Sequence, residues 1–135
     1  MKRWSNLPIL ALLLMTGVSA SAQSIEGKSW RVVELAGQKL SAADSAKTSL
    51  TFDGNAKRMA ASVGCNRIGG PYENEGKRLT FGALVSTRMA CPGELDQRER
   101  AFLSALSKAA GFQQIGSVFV IVDADRKKLM QLTAN

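Results

Sequence analysis

The chain carries two cysteines, Cys65 and Cys91, and no histidine. Each sits in a short turn-rich segment: Gly64-Cys65-Asn66-Arg67-Ile68-Gly69-Gly70-Pro71-Tyr72 and Thr87-Arg88-Met89-Ala90-Cys91-Pro92. Any fold must satisfy both segments, and their spacing narrows what the thiols can be. A redox-active pair is usually Cys-x-x-Cys, whereas 26 positions separate these two. A zinc site is disfavoured in a chain without histidine. In an oxidising compartment an even pair favours a disulfide over two free thiols. Closing a loop of this length stabilises by about 3 kcal/mol in the chain-entropy model.

The first 22 residues read as an export signal. Lys2 and Arg3 supply a positive start, residues 7–18 form an apolar stretch, and Ala20-Ser21-Ala22 fits a cleavage site before Gln23. The apolar run, with Pro8 and Gly17 in it, falls short of the roughly 20 residues needed to cross a bilayer. A soluble periplasmic protein is expected. Residues 23–135 then form one domain with its own core. Loss of Lys2 and Arg3, with every acidic residue kept, lowers the formal charge from +7 to +5. That balance suits an anionic partner such as phospholipid head groups or a polyanionic envelope polymer, although a solvated basic surface is the plainer reading. Nucleic acid is not expected, because no aromatic residues interleave the basic ones as base stacking requires.

Short β-rich runs alternate with turn signals along this domain. Trp30-Arg31-Val32-Val33-Glu34-Leu35 reads as a strand ending at Gly37. Residues 41–48 are polar, a loop or short helical turn. Ser49-Leu50-Thr51-Phe52-Asp53 places Leu50 and Phe52 on one face, and Asp53-Gly54-Asn55 turns it back into residues 58–63, with positive φ expected at Gly54 or Asn55. Tyr72-Glu73 and Leu79-Thr80-Phe81 flank Asn74-Glu75-Gly76-Lys77 as a second hairpin. Residues 85–89 make one more short strand. One helix is expected from Pro92 to Ala110, with Leu95, Phe102, Leu103, Leu106 and Ala110 on its apolar face, Glu99 among the polar ones, and Gly111 as its stop. Residues 112–115, 118–122 and 128–133 finish as strands. Seven or eight short antiparallel strands and a single packed helix predict a mainly β (α+β) fold, a curled sheet or small barrel.

The two cysteine segments resemble the META domain family, to which the bacterial heat-shock protein HslJ belongs. The matching residues are Gly64, Cys65, Asn66, Arg67, Gly70 and Tyr72, then Thr87, Arg88, Met89, Ala90, Cys91 and Pro92 directly before the helix. The strands at Trp30-Arg31-Val32 and Leu50-Thr51-Phe52 and the closing strand with Leu129 fall where that family has them, so the resemblance spans residues 25–133. It implies a compact β-rich domain with one helix, an envelope or secreted location, and links to heat shock, drug tolerance and virulence-related traits. It implies no enzymatic reaction. The lipoprotein cysteine of many bacterial relatives has no counterpart here.

Residue by residue, the motif has a structural reading. Gly64, Gly69 and Gly70 permit turns, Asn66 bonds its own backbone, Tyr72 buries its ring, and Met89 fills core beneath the helix. The functional reading has Arg67 and Arg88 line an anion- or partner-recognising surface. Catalysis has little to build on. Ser-His-Asp and Cys-His pairs are impossible without histidine. Asp53, Glu73, Glu75, Asp123 and Asp125 lie in or beside turns, and the glycines do not form a nucleotide-phosphate loop. Anion binding is expected from loop-borne clusters: Lys57 with Arg58, Lys77 with Arg78, and Arg126 with Lys127 and Lys128. The leading expectation is a monomeric, non-enzymatic, exported domain, without metal or cofactor, that binds an envelope protein or an anionic envelope component during stress. The alternative is a small-molecule or lipid carrier using a barrel interior.

Overall fold

Alternating apolar positions and tight turns build ten strands in a computed structural model that describes residue 17 and residues 24–135. The export segment at residues 1–22 and the cleavage point before Gln23 lie outside the described residues, Gly17 apart. The order is β1 (Ser29–Leu35), β2 (Gln38–Lys39), α1 (Ala42–Ala46), β3 (Ser49–Asp53), β4 (Arg58–Ser62), β5 (Arg67–Glu75), β6 (Arg78–Phe81), β7 (Val85–Ser86), α2 (Gly93–Lys108), β8 (Gly111–Ile115), β9 (Val118–Val122) and β10 (Lys128–Ala134). Every pairing is antiparallel. Eight strands close into a barrel in the order β1-β3-β4-β5-β6-β8-β9-β10, and β10 pairs back onto β1. The two-residue strands β2 and β7 hang on β1 and β5.

Closure follows from alternation. Leu50 and Phe52 of β3 and Met59 and Ala61 of β4 point inward, as do Ile68 and Tyr72 of β5 and Phe119 and Ile121 of β9. The interior is filled by side chains. Trp30 meets Phe119 edge-on at 4.5 Å between ring centroids, Phe52 meets Tyr72 at 5.1 Å, and Phe119 stacks on Phe112 at 5.3 Å. The Trp30 indole N–H donates to the Ile25 carbonyl at 2.8 Å, satisfying its one polar group. Helix α2 adds Phe102, Ala105 and Leu106 to this core and packs against β1, β6 and β10. Among the described residues, no helix is long and apolar enough to cross a membrane.

Helix α1 solves a local problem of β1, which pairs with β3 only at Ser29 and Trp30. Beyond that point the Val32 backbone would be left open. The Ser45 hydroxyl donates to the Val32 carbonyl at 2.6 Å, and the Val32 N–H donates to Thr48 Oγ1 at 2.8 Å. Two buried hydroxyls thus stand in for a neighbouring strand, as buried backbone groups require.

Several expectations are corrected. Gly69 and Gly70 lie inside β5, not in turns. A Cβ at Gly70 would stand 2.7 Å from the Ala83 carbonyl oxygen, so the residue is small to let the 82–84 segment pass close. In the β3–β4 turn the positive φ falls on Lys57, not on Gly54 or Asn55, because Asp53 Oδ1 accepts from the N–H groups of both Asn55 and Ala56 and winds the turn onward. Helix α2 begins at Gly93 with Pro92 as its N-cap, and it ends at Lys108. Gly111 is not its stop but the first residue of β8, where a Cβ would stand 2.8 Å from the Lys77 carbonyl oxygen.

Candidate functional site

The cysteine motif folds into a cleft between α2 and the segment that follows β7. Gly64 links β4 to β5 with φ +124°, a conformation that favours glycine, and a Cβ there would press on Leu95 of α2 at 2.9 Å. Cys65 and Cys91 are joined by a disulfide with their Cα atoms 6.1 Å apart, so the β4–β5 connection is stapled to the start of α2. Asn66, next in the chain, is buried. Its Oδ1 accepts from the Met89 N–H at 2.8 Å and from the Thr87 hydroxyl at 3.2 Å. Its Nδ2 donates to Glu99 Oε2 at 3.0 Å and to Cys91 Sγ at 3.4 Å. Thr87 Oγ1 in turn accepts from the Arg67 N–H at 3.0 Å. Asn66 therefore does not hold its own backbone; it ties β5, residues 87–91 and α2 together with all of its hydrogen-bonding capacity.

Two side chains in this cleft are not where the sequence placed them. Met89 is 56% exposed rather than core, because Asn66 holds its backbone at the surface edge of the loop. Glu99, placed among the polar positions of α2, is only 8% exposed. Its Oε2 accepts from Asn66 and from the Ser86 hydroxyl at 3.4 Å, and Oε1 has no hydrogen-bond partner among the described residues. The one sequence signal for this is negative: Glu99 falls three residues before Phe102 on the buried side of α2. Arg88 also lines the cleft, beside Asp96 and Glu99; Arg67 is exposed on β5 and not part of that lining. The structure therefore does not bring Arg67 and Arg88 into one cleft.

The basic clusters fall elsewhere and are partly rearranged. Lys57 is committed, since its Nζ donates to Glu26 Oε1 at 3.0 Å, the oxygen that also accepts from the Tyr72 hydroxyl at 2.7 Å. The Tyr72 hydrogen bond, then Lys57, hold the Glu26 carboxyl below its ordinary range. Burial, followed by the bond to Glu26, pushes the Tyr72 phenol well above its usual value. Lys128 pairs with Glu34 at 2.9 Å and is likewise committed. Lys57, Arg58 and Arg78 line a depression of about 530 Å³ that also holds Glu73 and Glu75. Lys77, Arg78 and Arg126 line a second depression of about 500 Å³. Arg78 belongs to both. Arg58, Lys77, Arg78 and Arg126 are exposed and make no ion pair among the described residues. Lys127 is exposed on the β9–β10 turn, in neither depression.

The model of the META domain matches residues 23–135. Among solved structures, a protein from Burkholderia xenovorans determined by NMR is 25% identical, with a TM-score of 0.63 over 82% of this chain and 83% of that one. A DUF4847 family protein from Bacteroides vulgatus is 14% identical, with a TM-score of 0.61 over 82% of this chain and 94% of that one. These likenesses establish the shared fold. No protein of curated function matches the chain.

Proposed function

The chain belongs to the META domain family, and from that premise we propose a non-enzymatic binding domain of the bacterial envelope that takes an anionic partner on the band Arg58, Arg78, Lys77 and Arg126. The carrying observation is that Arg78 lies on both basic depressions. Cations from three separate connections are thereby brought to one strip, and none of the four makes an ion pair among the described residues, with Glu73 and Glu75 the carboxylates that share the first depression. The second depression is the stronger half. Its acidic member, Asp123, already accepts from the backbone N–H groups of Asp125 and Lys127. Long basic side chains at such a site stay hydrated until an anion arrives.

Export to the periplasm and a role in stress or drug tolerance belong to the same reading, which the disulfide supports through its redox compartment. The carrier alternative has less support, since the barrel interior is occupied by Trp30, Phe52, Tyr72, Phe102 and Phe119. The non-enzymatic part of this reading rests on the lack of histidine.

The test is sedimentation with vesicles of phosphatidylglycerol against phosphatidylcholine at two salt concentrations. Binding should be selective for the anionic vesicles, weaken steeply from low to physiological salt, and fall when Arg78 and Arg126 are changed to Glu. Binding that is absent, or indifferent to salt, would sink the reading.

A further inference from the structure

The cleft beneath the cysteine motif is opposite in character to the basic band and lies at a different place in the fold. It is an open cleft of about 640 Å³. Its floor holds Glu99, more than nine-tenths buried, with one carboxylate oxygen fully engaged and the other without a hydrogen-bond partner among the described residues. Whichever way the carboxyl is protonated, that oxygen lacks a partner, a costly arrangement for a buried polar group. The nearby cations do not resolve it. Arg98 pairs with Asp44 at 3.1 Å, Arg100 pairs with Asp96 on the same helix, and Arg88 is exposed on the rim with no ion pair among the described residues. Around this acidic floor Ser86, Thr87, Arg88 and Asp96 alternate with an apolar wall of Leu84, half-buried, Val85, 67% exposed, and Met89, 56% exposed. Met is well suited to such a wall because its unbranched thioether adapts to the shape of what it meets.

We infer that this cleft binds a primary ammonium group carried on a short apolar chain. The ammonium donates to Glu99 Oε1 and the chain lies against Val85 and Met89. Asn66 acts as a positioning residue: by donating to Oε2 it fixes the carboxylate and leaves Oε1 for the ligand. Because Oε1 is shielded from bulk water, the ligand must displace part of the lining, and the exposed segment at residues 87–90 is the part with least packing to lose. Asp96 lies at the same edge, its charge paired with Arg100. The chemistry is shared by free alkylamines and by lysine side chains.

The experiment is an NMR titration of the full chain with n-hexylammonium, with N-acetyl-lysine methylamide, and with the neutral isostere n-hexanol. Either ammonium compound should shift the backbone resonances of Val85 and Met89 and the side-chain carboxyl carbon of Glu99, and which of the two binds tells the source. Hexanol should bind at least about tenfold more weakly, as loss of a charge-assisted hydrogen bond implies. Glu99→Gln, which can still accept from Asn66, should weaken hexylammonium by a similar factor. Should that variant fail to fold, Met89→Ser at its exposed position gives a second reading and should weaken binding severalfold. Equal binding of hexanol, no response of the Glu99 carbon, or unchanged affinity in the folded variants would overturn the inference. None of these outcomes bears on vesicle binding by the basic strip, so the two sites stand or fall separately.

Discussion

Asn66 concentrates on one side chain the bonds that hold three segments together. Replacing it by alanine removes its contacts to Glu99, Thr87 and Met89 and leaves the buried Glu99 carboxylate with the distant Ser86 hydroxyl as its remaining partner. Asn66→Ala should therefore destabilise by about 2–4 kcal/mol, read as a lowered urea midpoint with unchanged slope. Glu26 and Tyr72 make a pH-dependent pair. Glu26 titrates below its ordinary 4.5 in the folded chain, so its contribution is full above that value and is lost as pH falls through the folded value. Tyr72 titrates above its ordinary 10.0, so the unfolded chain gives up its proton first and stability declines as pH rises past that point. Tyr72→Phe should bring Glu26 back toward 4.5 and abolish the alkaline decline. Carboxyl-carbon NMR titration and urea midpoints taken across pH measure the two effects. The sequence marked Asn66 and Tyr72 as important but could not say to whom they bond. Asn66 finds its partners 21 to 33 positions away, and no local pattern encodes that. Glu99 and Met89 were misplaced for one common reason: average polarity assigns a glutamate to water and a methionine to core, and this cleft inverts both.

At the scale of elements, the staple between the β4–β5 connection and the start of α2 is the feature most open to measurement. The double variant Cys65→Ser, Cys91→Ser should lose about 3 kcal/mol, with a corresponding fall in Tm. Thiol counting on denatured, unreduced protein should find no free cysteine; two alkylated cysteines per chain would contradict the bond. Strand β5 offers a separate test. Gly70→Ala sets a methyl group against the Ala83 carbonyl, a backbone atom that cannot swing aside, and should destabilise by about 1–3 kcal/mol by denaturant unfolding. Strand β3, with clean alternation, and β9, a continuous apolar run, were legible to the residue, and so was the helical stretch of α2 within two residues at each end. Strand β5 was legible only in its second half. Its first half contains Gly69, Gly70 and Pro71, which locally signal a turn, and they serve instead to admit the 82–84 segment and β7 alongside. For helix α1 the sequence does not decide between loop and helical turn, since five residues carry too little periodicity.

For the whole molecule, the antiparallel barrel follows from short alternating strands joined by tight turns, but which strands meet at the closure does not. Nothing in residues 29–35 or 128–134 announces that they are neighbours. Yet Trp30 faces Ala134 and Leu35 faces Met130 across the join. That join has a consequence in time. Strand pairings elsewhere link segments near in the chain, while this one links nearly the whole span of the domain, and so carries the largest share of its contact order. A chain made or threaded from its amino-terminal end holds β1, β3, β4 and β5 early, but they can form no more than an open sheet with Trp30 at its rim. The domain becomes a barrel only when its last eight residues arrive. A chain ending at Lys127 should then keep two edges exposed, bind a hydrophobic dye, and lack the cooperative thermal transition of the full chain, as calorimetry would record. A native-like transition in that truncated chain would show that the closure is not decisive. Late completion would also hold the domain unfolded for as long as its final strand has yet to emerge, the condition in which a protein can still pass through a narrow channel.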